Sequence, residues 1–203
     1  VVEEAKNRLN PLLERLRFVA ISCSNLDEFY TVRVAGLRSM VSAGLTTKSA
    51  DELTPKQQLN RILPAIVALI SDQQETFREI TRELHDQNIL ILKFQDLFDD
   101  EKVWLGKFFR DEIFPVLTPL AVDPAHPFPF LLNGGACLAL MLKGTNGDGE
   151  MEGLIPIPSQ LGRFVELPGN SSRYICLEHV ISEFVDDVFP DFEVTGQGLF
   201  RLL

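Results

Sequence analysis

A long apolar repeat in the first half of the chain constrains the fold more than any other sequence feature. From residue 59 to residue 84 the repeat recurs at alternating spacings of three and four, which is the period of one helix face. Thr54 and Pro55 precede it as an N-cap hydroxyl and a first-turn proline. The pattern predicts a helix of about 30 residues, long enough to form one arm of a helical bundle or hairpin. Pro64 is expected to kink this helix or to mark an early break. The repeat consists of Leu59, Ile62, Ile66, Leu69, Gln73, Phe77, Ile80 and Leu84.

Two further helices are predicted before this repeat. Residues 5–20 carry apolar side chains at helical spacing, with Pro11 either in the first turns or at the start of a new helix. Residues 21–24 break the pattern, and Ser24 followed by Asp27 resembles a capping box. We therefore expect a second helix from Ser24 to about residue 41, ended by Gly44. The first 90 or so residues are predicted to be all-α.

The pattern changes near residues 89–92, a short β-like run. A helical first domain over residues 1–92 and an α+β second domain over residues 93–203 are expected, so the fold class is α+β, mainly α. The chain begins inside a helical pattern and ends on an apolar run, so both ends look cut and the second domain looks incomplete. The second domain is predicted to contain helices at 99–112 and 180–189, an extended segment at 114–122, and strands at 136–142, 153–157, 163–167, 173–177, 192–195 and 199–203.

Composition limits the functional classes. Hydrophobic residues make up 45% and charged residues 24% of the 203 positions, as in ordinary soluble globular proteins. No apolar run approaches the roughly 20 residues of a membrane-spanning helix. The net charge of −10 argues against general nucleic-acid binding, although residues 1–48 hold seven basic and five acidic residues. The scattered Cys23, Cys137 and Cys176 are expected to be buried thiols in a reducing cytoplasm.

Few patterns in the chain are typical of catalysis. Neither a Walker-type nor a Rossmann glycine loop is present, and the glycines of residues 144–149 indicate a turn. His85, His126 and His179 lack metal-ligand spacing with one another or with cysteine, so we expect no metal site and a structural role for each. His126 with Asp123 lies in a proline-rich stretch and is the pair least easily explained by structure alone.

Residues 22–33 form the segment most open to a binding role. Asn25 offers a donor and an acceptor that suit a purine edge, and Arg33 offers a fork of donors for phosphate. If a helix begins here, its first backbone N–H groups lie near the same point. The residues alone favour a capped helix with a surface Asn and Arg.

Two segments resemble a known family. NPLLERLRF at residues 10–18 and SNLDEFYTVRVAGL at residues 24–37 are similar to the N-terminal domain of bacterial polyphosphate kinases of the phosphohistidine type. LTPLAVDPAHPFPF at residues 117–130 and RFVELP at residues 163–168 resemble the following head domain. The resemblance covers nearly the whole chain, in order.

The resemblance implies an enzyme that reversibly transfers the terminal phosphate of ATP to inorganic polyphosphate. It implies magnesium, a phosphohistidine, a homo-oligomer (dimer or tetramer) and a cytoplasmic location, with any membrane association through the complex. The family's base-contacting Asn corresponds to Asn25, and Arg33 is a weaker nucleotide-binding candidate. The phosphohistidine and metal-binding residues of the family lie in C-terminal domains, so no catalytic or metal role passes to this chain, which is expected to be inactive alone.

Two alternatives remain open from the sequence. The chain could be a non-catalytic oligomerisation or regulatory module, which the long helix and the acidic second half allow. An independent phosphotransferase using His126 is disfavoured, because no basic cluster surrounds that residue.

Overall fold

The computed structural model describes residues 1–122, 128–145, 149–169 and 172–202. They form two compact units, Val1–Gln87 and Asn88–Leu202. The first unit is helical and the second combines helices with two sheets, so the predicted α+β fold class, mainly α, is confirmed. The predicted boundary near residue 92 stays a prediction.

The helical unit contains four α-helices and one π-helical segment. Pro11 is the N-cap of the second helix, so it starts a new helix, as one of the two alternatives had it. The elements are α1 Val2–Lys6, α2 Leu12–Glu28, the π-helical segment Phe29–Val34, α3 Ala35–Ser42 and α4 Pro55–Asp86.

The predicted break at residues 21–24 is wrong. Helix α2 runs through these residues and continues without interruption into the π-helical segment and α3. Ser22 is buried and accepts a hydrogen bond from Gln73 of α4 at 2.8 Å, so a tertiary contact satisfies the polar side chain inside the helix. Tertiary contacts of this kind override weak local propensity. Ser24 is consequently not an N-cap.

Two other predicted helix boundaries, the end of the second helix at Gly44 and the start of the long helix at Thr54, agree with the structure. Gly44 has φ +71° and lies just after α3. Its N–H and that of Leu45 donate to the carbonyls of Val41 and Met40, which is a Schellman motif. Thr54 and Gln57 form a reciprocal capping box at the start of α4.

Helix α4 extends for 32 residues through Pro64, so the early break does not occur. Its buried face departs slightly from the predicted one. Thr76 is buried, whereas Phe77 is 43% exposed. The reason is that a straight helix has 3.6 residues per turn, so a strict alternation of three and four drifts off one face.

The second unit contains two sheets. The strands are β1 Ile89–Leu92, β2 Leu120–Val122, β3 Ala136–Gly144, β4 Glu150–Pro156, β5 Phe164–Glu166, β6 Ser172–Cys176 and β7 Phe192–Arg201. In the first sheet β1 runs parallel to β6, and β5 runs antiparallel to β6. The second sheet has the order β2-β4-β3-β7 and is antiparallel throughout. The helices are α5 Asp99–Phe108, α6 Leu177–Glu183 and α7 Val185–Val188, with a π-helical segment Phe109–Ile113 and 3₁₀ turns Phe94–Asp96 and Phe114–Val116.

Three predictions for this unit need correction. The two final strands are one strand, β7, because Gly196 lets the backbone pass Met141, whose Sδ would lie 3.3 Å from an added Cβ. The helix predicted at 180–189 is two short helices, α6 and α7. The segment predicted as extended at 114–122 begins with a 3₁₀ turn.

Helices and both sheets of the second unit enclose one apolar cluster. Phe109 lies at its centre with no exposed surface and stacks on Phe184 at a centroid distance of 5.0 Å. Leu140, Ile155 and Ile181 are buried around it.

Candidate functional site

A cleft of about 690 Å³ opens between α1, α2 and α4 of the helical unit. Its walls are mostly apolar, with a few polar side chains, which is the usual make-up of a small-molecule site. The lining residues are Val1, Val2, Glu3, Ser22, Asn25, Leu26, Phe29, Ile62, Ala65, Ile66, Leu69 and Asp72.

Three polar contacts fix the helices that form the cleft. Gln73 Nε2 donates to Ser22 Oγ, which sets the level of α4 against α2. Arg15 Nη1 pairs with Glu83 at 2.7 Å. Because Arg15 precedes Ser22 on α2 whereas Glu83 follows Gln73 on α4, the two helices run antiparallel. Arg15 Nε also donates to the Ala5 carbonyl at 2.8 Å, which attaches α1 to the same pair of helices.

Asn25 lies in this cleft, and its side chain is exposed. Its backbone carbonyl accepts the Phe29 N–H, whereas its side-chain amide has no hydrogen-bond partner within the described parts of the chain. The amide is therefore available to a ligand as one acceptor and two donors.

The π-helical segment Phe29–Val34 begins one turn after Asn25. The wider turn of this segment disturbs the usual backbone hydrogen bonds of an α-helix. The Thr31 hydroxyl donates to the carbonyls of Asp27 and Glu28, at 3.1 Å each. Single π-helical turns inside α-helices are frequent at functional sites.

The expected helix terminus at this point is absent, because Asn25 lies in the middle of continuous helix. The backbone N–H groups around it pair within the helix and cannot serve a ligand. Only side chains of this stretch can bind, which narrows the predicted site to the Asn25 amide and its apolar neighbours.

The structure does not bring Arg33 to the cleft. Arg33 Nη2 donates to Gln58 Oε1 at 3.0 Å, and the buried Gln58 amide in turn donates to Ser49. The Ser49 hydroxyl also donates to Asp51, and this hydrogen bond is the main cause that lowers the pKa of Asp51. Arg33 thus belongs to a network that attaches the loop before α4 to its first turn.

Sequence reasoning placed Ser22 in the candidate binding segment but missed Glu3 and Asp72 as cleft residues. Asp72 Oδ2 pairs with Lys6 Nζ at 3.0 Å, which links α4 to α1 at the cleft. Gln73, a polar residue at a predicted core position, was the available signal that polar contacts occur at this level of α4. None of the described lining residues is Lys or Arg, so the cleft suits an uncharged ring better than phosphate groups.

The histidines take no part in this cleft. His85 is exposed in the last turn of α4, and His179 is exposed in α6. His126 and Asp123 lie outside the described residues.

Two further kinds of feature were not found within the described ranges. No group of three or more His, Cys, Asp or Glu side chains there could hold a metal ion. None of the helices there has the length and the apolar character that a membrane span requires.

The three cysteines are buried to different depths. Cys137 is buried, and burial raises the pKa of its thiol. Cys176 is half-buried, and burial raises the pKa of its thiol as well. Cys23 is half-buried on α2.

Comparisons with known proteins agree along the whole chain. The family model of the polyphosphate kinase N-terminal domain matches residues 1–92, and that of the polyphosphate kinase middle domain matches residues 100–203. The chain therefore belongs to the polyphosphate kinase family.

Two curated relatives and one solved structure illustrate the similarity. The polyphosphate kinase of Erythrobacter litoralis is 41% identical over 203 residues, which are 100% of this chain and 28% of the relative. That of Halalkalibacterium halodurans is 43% identical over 207 residues, 100% of this chain and 29% of the relative. The crystal structure of polyphosphate kinase from Porphyromonas gingivalis has a TM-score of 0.84 at 30% identity and covers 98% of this chain and 30% of that chain. The chain thus spans less than a third of the length of these relatives.

Proposed function

We propose that the chain supplies one wall of the nucleotide-base site of a polyphosphate kinase that reversibly transfers the terminal phosphate of ATP to inorganic polyphosphate. The observation that carries the proposal is Asn25. Its side-chain amide has no partner among the described residues and lies in a mostly apolar cleft of about 690 Å³, within the segment that matches the family's N-terminal domain.

The chemistry of the cleft supports base binding. Leu26 and Leu69 are apolar side chains in its walls, and Asn25 can hydrogen-bond to a ring edge. A triphosphate needs cationic side chains, and the described lining has none. In this proposal the phosphates, magnesium and the phosphohistidine are held by other parts of the enzyme, so residues 1–203 alone make no polyphosphate.

Titration of residues 1–203 with ATP, followed by NMR or calorimetry, tests the proposal. We expect weak binding, with a dissociation constant on the order of millimolar, because the phosphate clamps are missing. Asn25→Ala should abolish it, whereas Asn60→Ala, which removes an exposed Asn of α4 outside the cleft lining, should not. Equal ATP binding by the wild type and Asn25→Ala would contradict the base-site role.

A second candidate role, assembly, has its own supporting observation. Leu63 and Val67 lie four residues apart on α4 and are 43% and 67% exposed. Exposed apolar side chains on one helix face are typical of protein contacts. Homo-oligomerisation in the cytoplasm is part of this proposal. Nucleotide-independent self-association that Val67→Lys weakens, measured by sedimentation, would support it, and a monomer at all concentrations would oppose it.

A further inference from the structure

We infer that Asp72 determines which base the cleft accepts, by accepting a hydrogen bond from the exocyclic amine of a purine. This inference rests on the proposed base site. It adds to that site a specificity-determining residue, Asp72.

An ion pair holds the Asp72 carboxylate in place through one of its two oxygens. Its Oδ2 pairs with Lys6 Nζ at 3.0 Å, and its side chain is 52% exposed. Its Oδ1 has no hydrogen-bond partner among the described side chains and backbone groups. One carboxylate oxygen is therefore free to accept a hydrogen bond from a ligand.

Asp72 lies close to Asn25 along the helix axes. The Gln73–Ser22 hydrogen bond places Asp72 at the level of Ser22, and Ser22 precedes Asn25 by three residues. At 1.5 Å of rise per residue this separation is about 4.5 Å along α2. Both residues line the same cleft, and in this inference one flat ring meets both polar groups.

The two polar groups complement an aminopurine. An ionised carboxylate can only accept hydrogen bonds, so Asp72 needs a donor, and an exocyclic amine provides one. Asn25 has donors for the ring nitrogens. A purine that lacks the amine would displace water from the Asp72 oxygen without giving it a hydrogen-bond donor, which weakens binding.

Two triphosphates that differ by one group provide the test. ATP and purine riboside 5′-triphosphate, which lacks only the 6-amine, are titrated into residues 1–203 and followed by NMR. We expect the wild type to bind ATP about tenfold more tightly, the effect of one charge-assisted hydrogen bond. Asp72→Ala should bind both about equally. Glu75→Gln, which removes an exposed carboxylate of the same helix outside the cleft lining, should keep the preference.

The failures of the two proposals are distinguishable. If Asn25→Ala abolishes ATP binding but the wild type shows no preference, the base site stands and the role of Asp72 is overturned. A preference that survives Asp72→Ala, or that disappears in Glu3→Gln instead, also overturns it. If neither triphosphate binds the wild type, both proposals fall. Circular dichroism of Asp72→Ala checks that the half-exposed substitution leaves the helices intact.

Discussion

Different kinds of internal contact stabilise the helical unit Val1–Gln87 and the α+β unit Asn88–Leu202. The large apolar cluster lies entirely in the second unit. Five of the seven buried polar or charged side chains among the described residues lie in the first, namely Arg15, Ser22, Gln58, Gln73 and Thr76. The second unit is thus stabilised mainly by packing, and the first relies more on specific hydrogen bonds between helices.

This difference matters for the cleft. The hydrophobic effect is non-directional, whereas a hydrogen bond between two helices needs a defined distance and angle and so fixes their level. The helical unit leaves an open cleft between α2 and α4 and sets its polar groups with Gln73–Ser22 and Lys6–Asp72. The contacts that hold the unit together are therefore also the contacts that shape the candidate site.

The single Trp of the chain allows the unfolding of the two units to be followed separately. Trp104 lies in α5 of the second unit, so its fluorescence follows that unit alone. Far-UV circular dichroism is weighted toward the helical unit, which contains the 32-residue α4. The stability predictions below are measured with these two signals during urea unfolding.

The largest effect is expected for Phe109→Ala. Phe109 is fully buried and stacks on Phe184, so its truncation leaves a cavity in the apolar cluster. A loss of about 3–5 kcal/mol in the free energy of unfolding is expected for the Trp104 transition. Phe128→Ala, at a site that is 63% exposed, serves as the control and should change it by less than about 0.5 kcal/mol. A Phe109 variant as stable as the control would show that packing does not dominate this unit.

The next effect is expected for Glu101→Gln. Glu101 is 3% exposed and forms a two-bonded ion pair with Arg173, at 2.6 and 2.9 Å. The guanidinium also lies 4.4 Å from the Phe98 ring centroid. Gln keeps an acceptor but leaves Arg173, whose side chain is only 12% exposed, without its counter-charge, so we expect a loss of about 2–3 kcal/mol at pH 7. The exposed Glu183→Gln is the control, and an equal loss there would oppose the ion-pair explanation.

The same ion pair predicts a pH dependence. The hydrogen bond from Arg173 is the main cause that lowers the pKa of Glu101 below its usual value of 4.5, against the opposing effect of burial. A carboxyl whose pKa is lower in the folded state stabilises the fold above its unfolded pKa and loses that contribution as pH falls. The stability difference between wild type and Glu101→Gln should therefore be full at pH 6 and shrink below about pH 4.5. A constant difference down to pH 3 would rule this out.

The long helix shows how much of the fold is predictable from sequence. Its start at Thr54 and its length follow from capping residues and periodicity, both local properties of the chain. The false break at residues 21–24 arose because local propensity cannot show that Ser22 pairs with Gln73, which lies 51 residues away.

The candidate site was predictable only in part. Asn25 was identified through the resemblance of its segment to a family, and its nucleotide-binding role stays a prediction. Arg33 was grouped with it by position, but the structure pairs Arg33 with Gln58 instead. Asp72 was missed, because its place beside α1 depends on how three helices meet, which spacing along one helix does not contain.

The smallest effect is expected for Arg15→Met in the helical unit. Arg15 is 2% exposed and pairs with Glu83, yet its Nη2 and one Glu83 oxygen have no partner among the described groups. Met keeps the apolar stem and removes the unpaired nitrogen, and the partly exposed Glu83 can turn to water. These two gains offset most of the free energy lost with the Arg15–Glu83 ion pair. We therefore expect the free energy of unfolding, followed by circular dichroism, to fall by only about 1 kcal/mol.

ATP binding in the cleft should nevertheless change more in Arg15→Met than the stability of the helical unit does. Arg15 also donates to the Ala5 carbonyl, so the variant releases α1, which contributes Glu3 to the cleft. ATP binding should weaken several-fold in Arg15→Met but not in Arg17→Met, whose exposed side chain makes only a 3.8 Å pair with Glu14. The unfolding transition seen by Trp104 fluorescence should be unchanged in both variants, because Trp104 lies in the α+β unit and both arginines lie in the helical unit. A large stability loss with unchanged binding would mean that Arg15 supports the helical unit as a whole and not the wall of the cleft.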